Sequence, residues 1–378
     1  MSHSEEVVRH QAGEDLTHTL RLSLISGVGP RTRQALLERF GSAAAVLSAA
    51  PSELQTVPGV GPKLTRNIVA ARDEIDAEEE IALCRAHGVS ILTEADEQYP
   101  RLLREIPDPP GVLFVKGTIE PRDGLAIAIV GTRHATQYGL RQAERLAGAL
   151  ARAGLTVVSG LARGIDSAAH RGALAAGGRT LAVLGSGVLN VYPPEHETLA
   201  NEITAQGAML SEAPPRAAPL GGMFPQRNRI ISGLAAGVVI VEAGDRSGAL
   251  ITARHAMEQG REVFAVPGRV DSRTARGCHR LIRDGAKLVE TADDVLEELG
   301  PLVEATPGDD GHLVHHPAEL MLNELEQKVL SAVGTESTLV DSIVAETGLA
   351  VPQVLSTISV LEMRRLVRRL SGTSVVRI

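Results

Sequence analysis

The sequence predicts an α/β fold: a doubly wound sheet with a helical unit before it and a smaller unit behind it. Three observations lead there. Short apolar runs alternate with helical stretches between about 110 and 300, a helix-turn pattern is duplicated between 16 and 80, and a stretch rich in Pro, Gly and acid breaks the periodicity at 301–318. At 378 residues the chain exceeds one ordinary core, and 43% hydrophobic residues supply ample apolar material to bury. No window approaches the roughly 18–20 continuous apolar residues of a membrane span. The first fifteen residues, MSHSEEVVRHQAGED, are polar and acidic rather than a basic stretch leading into an apolar one, so no signal peptide is expected and the cytoplasm is the expected location. Cys84 and Cys278 lie far apart in no CxxC spacing, which predicts neither a disulfide framework nor a zinc site.

The net charge of −8 hides a division along the chain. Residues 1–120 hold 12 Lys+Arg against 18 Asp+Glu, residues 121–290 hold 20 against 14, and residues 291–378 hold 6 against 14, giving −6, +6 and −8. A basic middle between acidic ends suits a core that binds a polyanion, and segregation of solvated charge is the plainer alternative.

Residues 1–85 form the helical unit. LSLISGVGPRTRQALLERF (22–40) and LQTVPGVGPKLTRNIVAAR (54–72) share an apolar residue, a GVG turn, Pro, basic residues and an amphipathic helix. The pair resembles a tandem helix-hairpin-helix (SAM-like) module. In that motif the turns, Gly27 with Gly29 and Gly59 with Gly61, let backbone N–H groups at the next helix meet a phosphate without reading bases. Arg31, Arg33, Lys63 and Arg66 would add charge. Such modules also serve for packing, and both uses stay open.

Residues 86–300 form the sheet unit, with strands expected at LAIAIVG (125–131), LTVVSG (155–160), RTLAVLG (179–185), AMLSE (208–212), VVIVEA (238–243) and EVFAVPG (262–268). Runs without alternation indicate strands buried on both faces, and ligands of such sheets bind beyond the strands' carboxyl ends. After the first strand stand Gly131, Thr132 and Arg133; after the second, Ser159, Gly160, Arg163, Gly164, Asp166 and His170; after the fifth, Glu242, Gly244, Arg246, Ser247, Gly248 and Thr252. Arg227, Asn228 and Arg229 open the helix before the fifth strand. Gly-rich turns at helix N-termini suit anions, and arginine forks suit phosphates spaced along a strand. Neither a GxGxxG nor a Walker A lysine loop is present, so no cofactor is expected. Arg229 has a second reading, a pair with Glu242 or Glu212 that ties the sheet edge. Asp166 reads as a brace of its turn, and His170 as a packed residue rather than a base. No Ser/His/Asp order, paired carboxylates or metal-ligand cluster stands out.

Seven blocks in this order, IVGTRHATQYG, VVSGLARGIDSAAHRGAL, VYPPEHETL, LSEAPP, FPQRNRIISGL, VVIVEAGDRSGALITARHAMEQGREVFAVPG and GCHRLIRDGAKLV, with the approach segment QYPRLLREIPDPPGVLFVKG (98–117), resemble the DNA-processing protein A (DprA, also Smf) family over about 95–295. The resemblance implies an extended Rossmann-like fold without nucleotide chemistry, binding of single-stranded DNA, a homodimer formed through the late part of the fold, and delivery of the strand to the RecA recombinase in natural transformation. Carried over, the phosphate-binding arginine falls on Arg133 beside Gly131 and Thr132, the SGLA turn on Ser159 and Gly160, and the RNR signature on Arg227 to Arg229. In GCHRLIRDGAKLV, Leu281, Ile282 and Leu288 alternate with polar residues and are the candidate dimer patch. Many members carry a basic residue just after the YP pair, where this chain has Pro194, Glu195 and His196.

Seven aromatic residues and no tryptophan leave few stacking platforms, and Tyr138, Tyr192 and Phe224 lie inside the family blocks. Each is a candidate for stacking an unpaired base, and each could instead be core. Residues 301–318 read as a linker; His312, His315 and His316 lack a carboxylate or cysteine frame, so no metal is expected. Residues 319–378 resemble a small winged helix. Its third helix, VPQVLSTISVLEMRR, has no cation before Arg364, which favours partner contact over sequence reading, while Arg365, Arg368 and Arg369 could touch a duplex backbone. The function expected is non-catalytic binding of single-stranded DNA. The rival is a nucleotide-cleaving enzyme of the phosphoribohydrolase-type Rossmann fold, whose PGGxGTxxE glutamate is missing from VPGRVDSRTARG.

Overall fold

The structure, a computed structural model, describes residues 15–299, 306–307, 313–314, 322–334, 337–363, 366–371 and 374–377. The N-terminal tail, most of the linker with His312, His315 and His316, and Arg364 and Arg365 lie outside the described residues.

Helices α1 (15–24), α2 (Pro30–Phe40), α3 (Ala43–Ser48), α4 (Pro51–Leu54) and α5 (Pro62–Glu74) enclose a small core that includes Leu22, Leu36, Val46, Leu54, Val57 and Ile68. The two GVG turns are equivalent in backbone: Gly27 and Gly59 have φ of 95° and 85°, and Gly29 and Gly61 cap α2 and α5 ahead of a proline in the first turn. Helix α6 (Ala77–Ala86) leaves this unit and buries Ala77 and Cys84 among Phe114, Ala182 and Met209 of the sheet.

The sheet has nine strands: β1 (Val89–Thr93), β2 (Val112–Gly117), β3 (Ala126–Val130), β4 (Thr156–Ser159), β5 (Thr180–Val183), β6 (Ala208–Ser211), β7 (Gly237–Ile240), β8 (Glu262–Ala265) and β9 (Lys287–Leu288), in the order β1-β2-β6-β5-β4-β3-β7-β8-β9. All six strands expected from the apolar runs form, and β3 to β9 are mutually parallel. The antiparallel pair β1–β2 extends the sheet beyond β6. Alternate residues serve opposite faces. Ala126, Ala128 and Val130 of β3 meet α11 (Met223–Gly233), α12 (Ala249–Glu258), α13 (Arg276–Arg283) and the one-turn α7 (Arg101–Arg104); Ile127 and Ile129 meet α8 (Gln137–Arg152), α9 (Ile165–Ala175) and α14 (Ala292–Leu299). Helix α10 (Glu197–Gln206) covers β5 and β6. This two-sided burial accounts for the unbroken apolar runs.

From β3 the chain winds to β4, β5 and β6 on one side and then crosses to β7 and β8 on the other. The strand order reverses at β3, so the crevice beyond its carboxyl end is the topological switch point. Register keeps the turns level there, since Ala128 pairs with Val158 of β4 and Val238 of β7.

Helices α15 (Glu324–Ser331), α16 (Val340–Thr347) and α17 (Val351–Met363) with the sheet β12 (Thr338–Leu339), β14 (Ser374–Arg377), β13 (Val367–Ser371) form a winged helix around Val329, Ile343, Ile358 and Leu361. Between this unit and α14 the short strands β10 (Thr306–Pro307) and β11 (Leu313–Val314) pair with each other. Among the described residues no single helix is long and apolar enough to cross a membrane.

Candidate nucleic-acid interface

The switch-point crevice is built in two layers, an inner one that sets the backbone and an outer one that faces solvent. Several of the residues expected to touch a ligand, Ser159, Gly160, Arg227, Asn228 and Arg229, belong to the inner layer. Ser159 is buried and its hydroxyl donates to the Ile129 carbonyl at 2.6 Å, joining the ends of β3 and β4. Arg227 is only 6% exposed. Its Nη1 donates to the carbonyls of Gly160, at 2.7 Å, and Val183, so the guanidinium ties the ends of β4 and β5 from beneath. A Cβ on Gly160 would stand 2.3 Å from that Nη1, so this close approach requires glycine. Burial, together with the nearby Arg133 charge, brings the Arg227 pKa down to about 10 against the opposing pull of Asp166. Arg227 remains cationic at neutral pH.

Arg229, 3% exposed, follows the second of the two readings open for it. Its Nη2 donates to both carboxylate oxygens of Glu212 at 2.8 and 2.9 Å, and its Nε lies 3.3 Å from Asp108. Asn228 is 9% exposed and donates from Nδ2 to the Gly248 carbonyl at 3.2 Å. The Arg227–Asn228–Arg229 signature, expected at the crevice surface, thus sits behind it. The physical reason is its position on α11, immediately before Ile230 and Ile231, which enter the core and draw the preceding turn against the sheet.

The backbone donors of the first turn are likewise engaged. The Thr132 N–H donates to the Glu242 carbonyl at 2.7 Å, and those of Gly131 and Ala162 serve the buried Asp166 carboxylate. Burial raises the Asp166 pKa, with Arg227, these two N–H groups and Arg133 opposing. Asp166 braces the turn from within, as its sequence position suggests. The Glu242 side chain accepts from the Thr136 N–H at 2.8 Å, the Thr136 hydroxyl at 2.7 Å and the Thr274 hydroxyl at 3.1 Å, which fixes the start of α8. His170 is fully buried, its Nδ1 donating to the Thr180 hydroxyl at 2.7 Å, and burial drives its pKa down to about 3. It is a neutral packed residue.

The outer layer is smaller. Arg133 is exposed, forms no ion pair among the described residues, and lies over the Phe224 ring at 5.0 Å. Phe224 in turn meets Tyr192 at 5.8 Å with the rings tilted by 46°. Both rings are half-buried, so neither belongs to the core. Phe224 rests on the end of β5, where a Cβ on Gly185 would come within 2.7 Å of the ring. Arg163 is exposed and paired with Glu195. Arg246 and Gly248 are exposed beyond β7, and Ser247 is half-buried, accepting from the Ala249 N–H at 3.3 Å. Tyr138 is tied through its hydroxyl to the Pro267 carbonyl at 2.8 Å. One feature had no signal in the sequence: Leu161, buried between Gly160 and Arg163, has φ of 56°, a left-handed conformation that costs a bulky residue about 1–3 kcal/mol. The His196 Nδ1 donates to its carbonyl at 2.9 Å and helps hold the turn.

In the helical unit, Arg33 is paired with Glu94 at the edge of the sheet unit and serves to dock the two. Lys63 and Arg66, by contrast, stand exposed beside Gly59 and Gly61 with no ion pair among the described residues. In the winged helix, Arg369 is held by the Ser359 hydroxyl at 2.7 Å and by Glu362 at 3.4 Å, whereas Arg368 is exposed. The late patch divides too. Leu281, 7% exposed, belongs to the sheet core with Cys278, and Ile282 packs partly against it, so the three-residue dimer patch reduces to Leu288, 41% exposed on the edge strand β9.

Residues 90–300 match the family described as DNA recombination-mediator protein A. The chain belongs to the DprA/Smf family. Residues 19–74 match the SAM-like helix-hairpin-helix tandem and residues 315–373 the DprA winged helix domain. Protein Smf of Synechocystis is 35% identical over 393 residues, covering 96% of this chain and 98% of its own. The solved structure of DprA from Streptococcus pneumoniae, 35% identical, superposes with a TM-score of 0.65 over 75% of this chain and 97% of that one. A second, from Helicobacter pylori, described for the single-stranded DNA binding mode of that DprA, is 29% identical with a TM-score of 0.51, over 57% of this chain and 97% of that one.

Proposed function

We propose that this DprA/Smf family member binds single-stranded DNA without catalysing its chemistry. The strand passes over the carboxyl ends of β3, β4, β5 and β7, with Arg133 meeting a phosphate and the Phe224–Tyr192 pair meeting an unpaired base. The carrying observation is the exposed Arg133, with no ion pair among the described residues, lying over Phe224 of a half-buried aromatic pair at the switch point. A cation beside a stacking platform suits a strand whose base faces are free, and duplex DNA hides those faces. The single-strand binding described for the Helicobacter pylori relative supports the same reading. VPGRVDSRTARG lacks the catalytic glutamate of the nucleotide-cleaving alternative, and Glu242, on a different strand, is engaged by Thr136 and Thr274, so that alternative finds no support in the site.

Binding is expected to weaken with salt at a log–log slope of about −0.7 per phosphate neutralised, and to favour oligothymidylate over blunt duplex. Fluorescence anisotropy at several salt concentrations checks both, and equal affinity for the two DNAs would remove the single-strand assignment. The inner arginines, Ser159, Gly160 and Asn228 take part as the scaffold of this crevice; Gly131, Thr132, Arg163, Ser247 and Gly248 line or flank it. Lys63 and Arg66, beside Gly59 and Gly61, are placed to touch the backbone of a strand or of a duplex.

The bound strand is delivered to RecA by a homodimer. Edge strand β9 carries Leu288 outward, and an isologous contact there sets two crevices side by side on one long strand, where the second contact is intramolecular. Leu288→Arg is therefore expected to give folded monomers that hold short oligonucleotides normally and long ones less tightly. Sedimentation measures the assembly, and a dimer that survives the substitution places the contact elsewhere.

A further inference from the structure

The crevice carries an anion of its own. Glu195 stands in a short 3-10 turn, Pro194–His196, and its carboxylate accepts from Nε of Arg163 in the turn after β4. Both side chains are about half exposed, 53% for Arg163 and 49% for Glu195, so the pair lies at the mouth rather than in the scaffold. Its geometry is imposed from both sides. The neighbouring His196 is buried and fastened to the Leu161 carbonyl, and Leu161 is buried in its left-handed turn two residues before Arg163. Tyr192, one edge of the aromatic pair, lies three residues before Glu195. A carboxylate fixed this way offers the guanidinium an anionic oxygen, as a phosphate would.

We propose that Glu195 is a built-in substitute for one DNA phosphate: it occupies Arg163 in the free protein, and an arriving strand displaces it. The inference rests on the crevice being the DNA site. Its physical consequence follows from charge exchange. A strand that meets Arg163 replaces one exposed ion pair with another, so the gain is small, while the freed carboxylate stays close and repels the backbone. Arg163 is kept ordered and available, yet the site holds the strand less firmly than its cations alone would. That suits a protein that must give its strand up.

Glu195→Gln keeps the size and hydrogen-bonding capacity of the side chain and removes the charge. It is expected to tighten oligothymidylate binding roughly fourfold, the scale of one unit-charge interaction at about 5 Å in water. The salt slope should steepen by about 0.7, the contribution of one further cation free to neutralise a phosphate. Arg163→Ala should cost less than about twofold in the native background but about fourfold in the Glu195→Gln background, because only there is the cation unopposed. Circular dichroism and thermal melting accompany each variant. Unchanged or weaker binding by Glu195→Gln, with or without a lower melting temperature, overturns the inference and makes the carboxylate a brace. If Arg133→Ala abolishes binding while Glu195→Gln leaves it unchanged, the inference fails and the crevice stands; if the native protein does not bind oligothymidylate, the crevice assignment itself fails.

Discussion

Replacing Arg229 by alanine is expected to destabilise the protein by about 3–5 kcal/mol, the cost of leaving buried charge without its partner. The Arg229 side chain is 4% exposed, while Glu212 and Asp108 are 33% and 26% exposed, so the carboxylates keep part of their hydration and the effect should fall toward the lower end of that range. The bidentate bond to Glu212 and the contact with Asp108 join α11, the end of β6 and the segment before β2. Lysine offers one compact ammonium in place of a planar fork, so Arg229→Lys should recover only part of the loss. Arg229→Met with Glu212→Gln should recover more than Arg229→Ala, because it removes an orphaned charge as well as the cation. Urea unfolding measures all three. A loss below about 1 kcal/mol for Arg229→Ala would show that the cluster is solvated enough to be worth no more than a surface pair.

The contrast between Arg229 and Arg133 shows where sequence reading reaches its limit. The strands were legible because β3 to β8 are buried on both faces, and nothing but a parallel sheet under helices asks for AIAIV, TVVS and GVVI in succession. The antiparallel pair β1–β2 carries no such signal, because VSILT and VLFVKG lack the regular strand–helix alternation that marks the rest. In the site, charge and strand-end position located Arg133 but could not separate it from Arg227 and Arg229, since a formula for a side chain carries no depth. What was available was the acid at the end of the neighbouring strand, Glu212, and the apolar pair Ile230 and Ile231 after the signature. The late patch failed for a related reason. On a helix, apolar residues three and four apart mark one face, and Cys278, Leu281 and Ile282 mark it identically whether that face meets the core or another subunit. Left-handed Leu161 carried no signal, because nothing in the residue type favours that backbone.

Arg133→Ala is expected to weaken single-strand binding by about 1.5–3 kcal/mol, the range for a charged hydrogen bond, without loss of folding. The separation of binding from stability is the informative part. Arg133 forms no ion pair among the described residues and stands in solvent over Phe224, so its removal leaves no buried group without a partner. It also relieves the repulsion that Arg133 exerts on buried Arg227, which adds nothing to the cost. Phe224→Ala should cost about 1–3 kcal/mol in binding as a lost stacking surface, and because the ring also supports the guanidinium, the two losses should not add. Arg133→Lys tests which property matters. A lysine keeps the charge but gives up the planar fork, so it should restore the salt slope of the native protein while leaving affinity below it. If Arg133→Ala instead leaves the binding isotherm unchanged, the strand does not cross the switch point; if it lowers the unfolding free energy by as much as it lowers binding, Arg133 belongs with Arg227 and Arg229 in the inner layer.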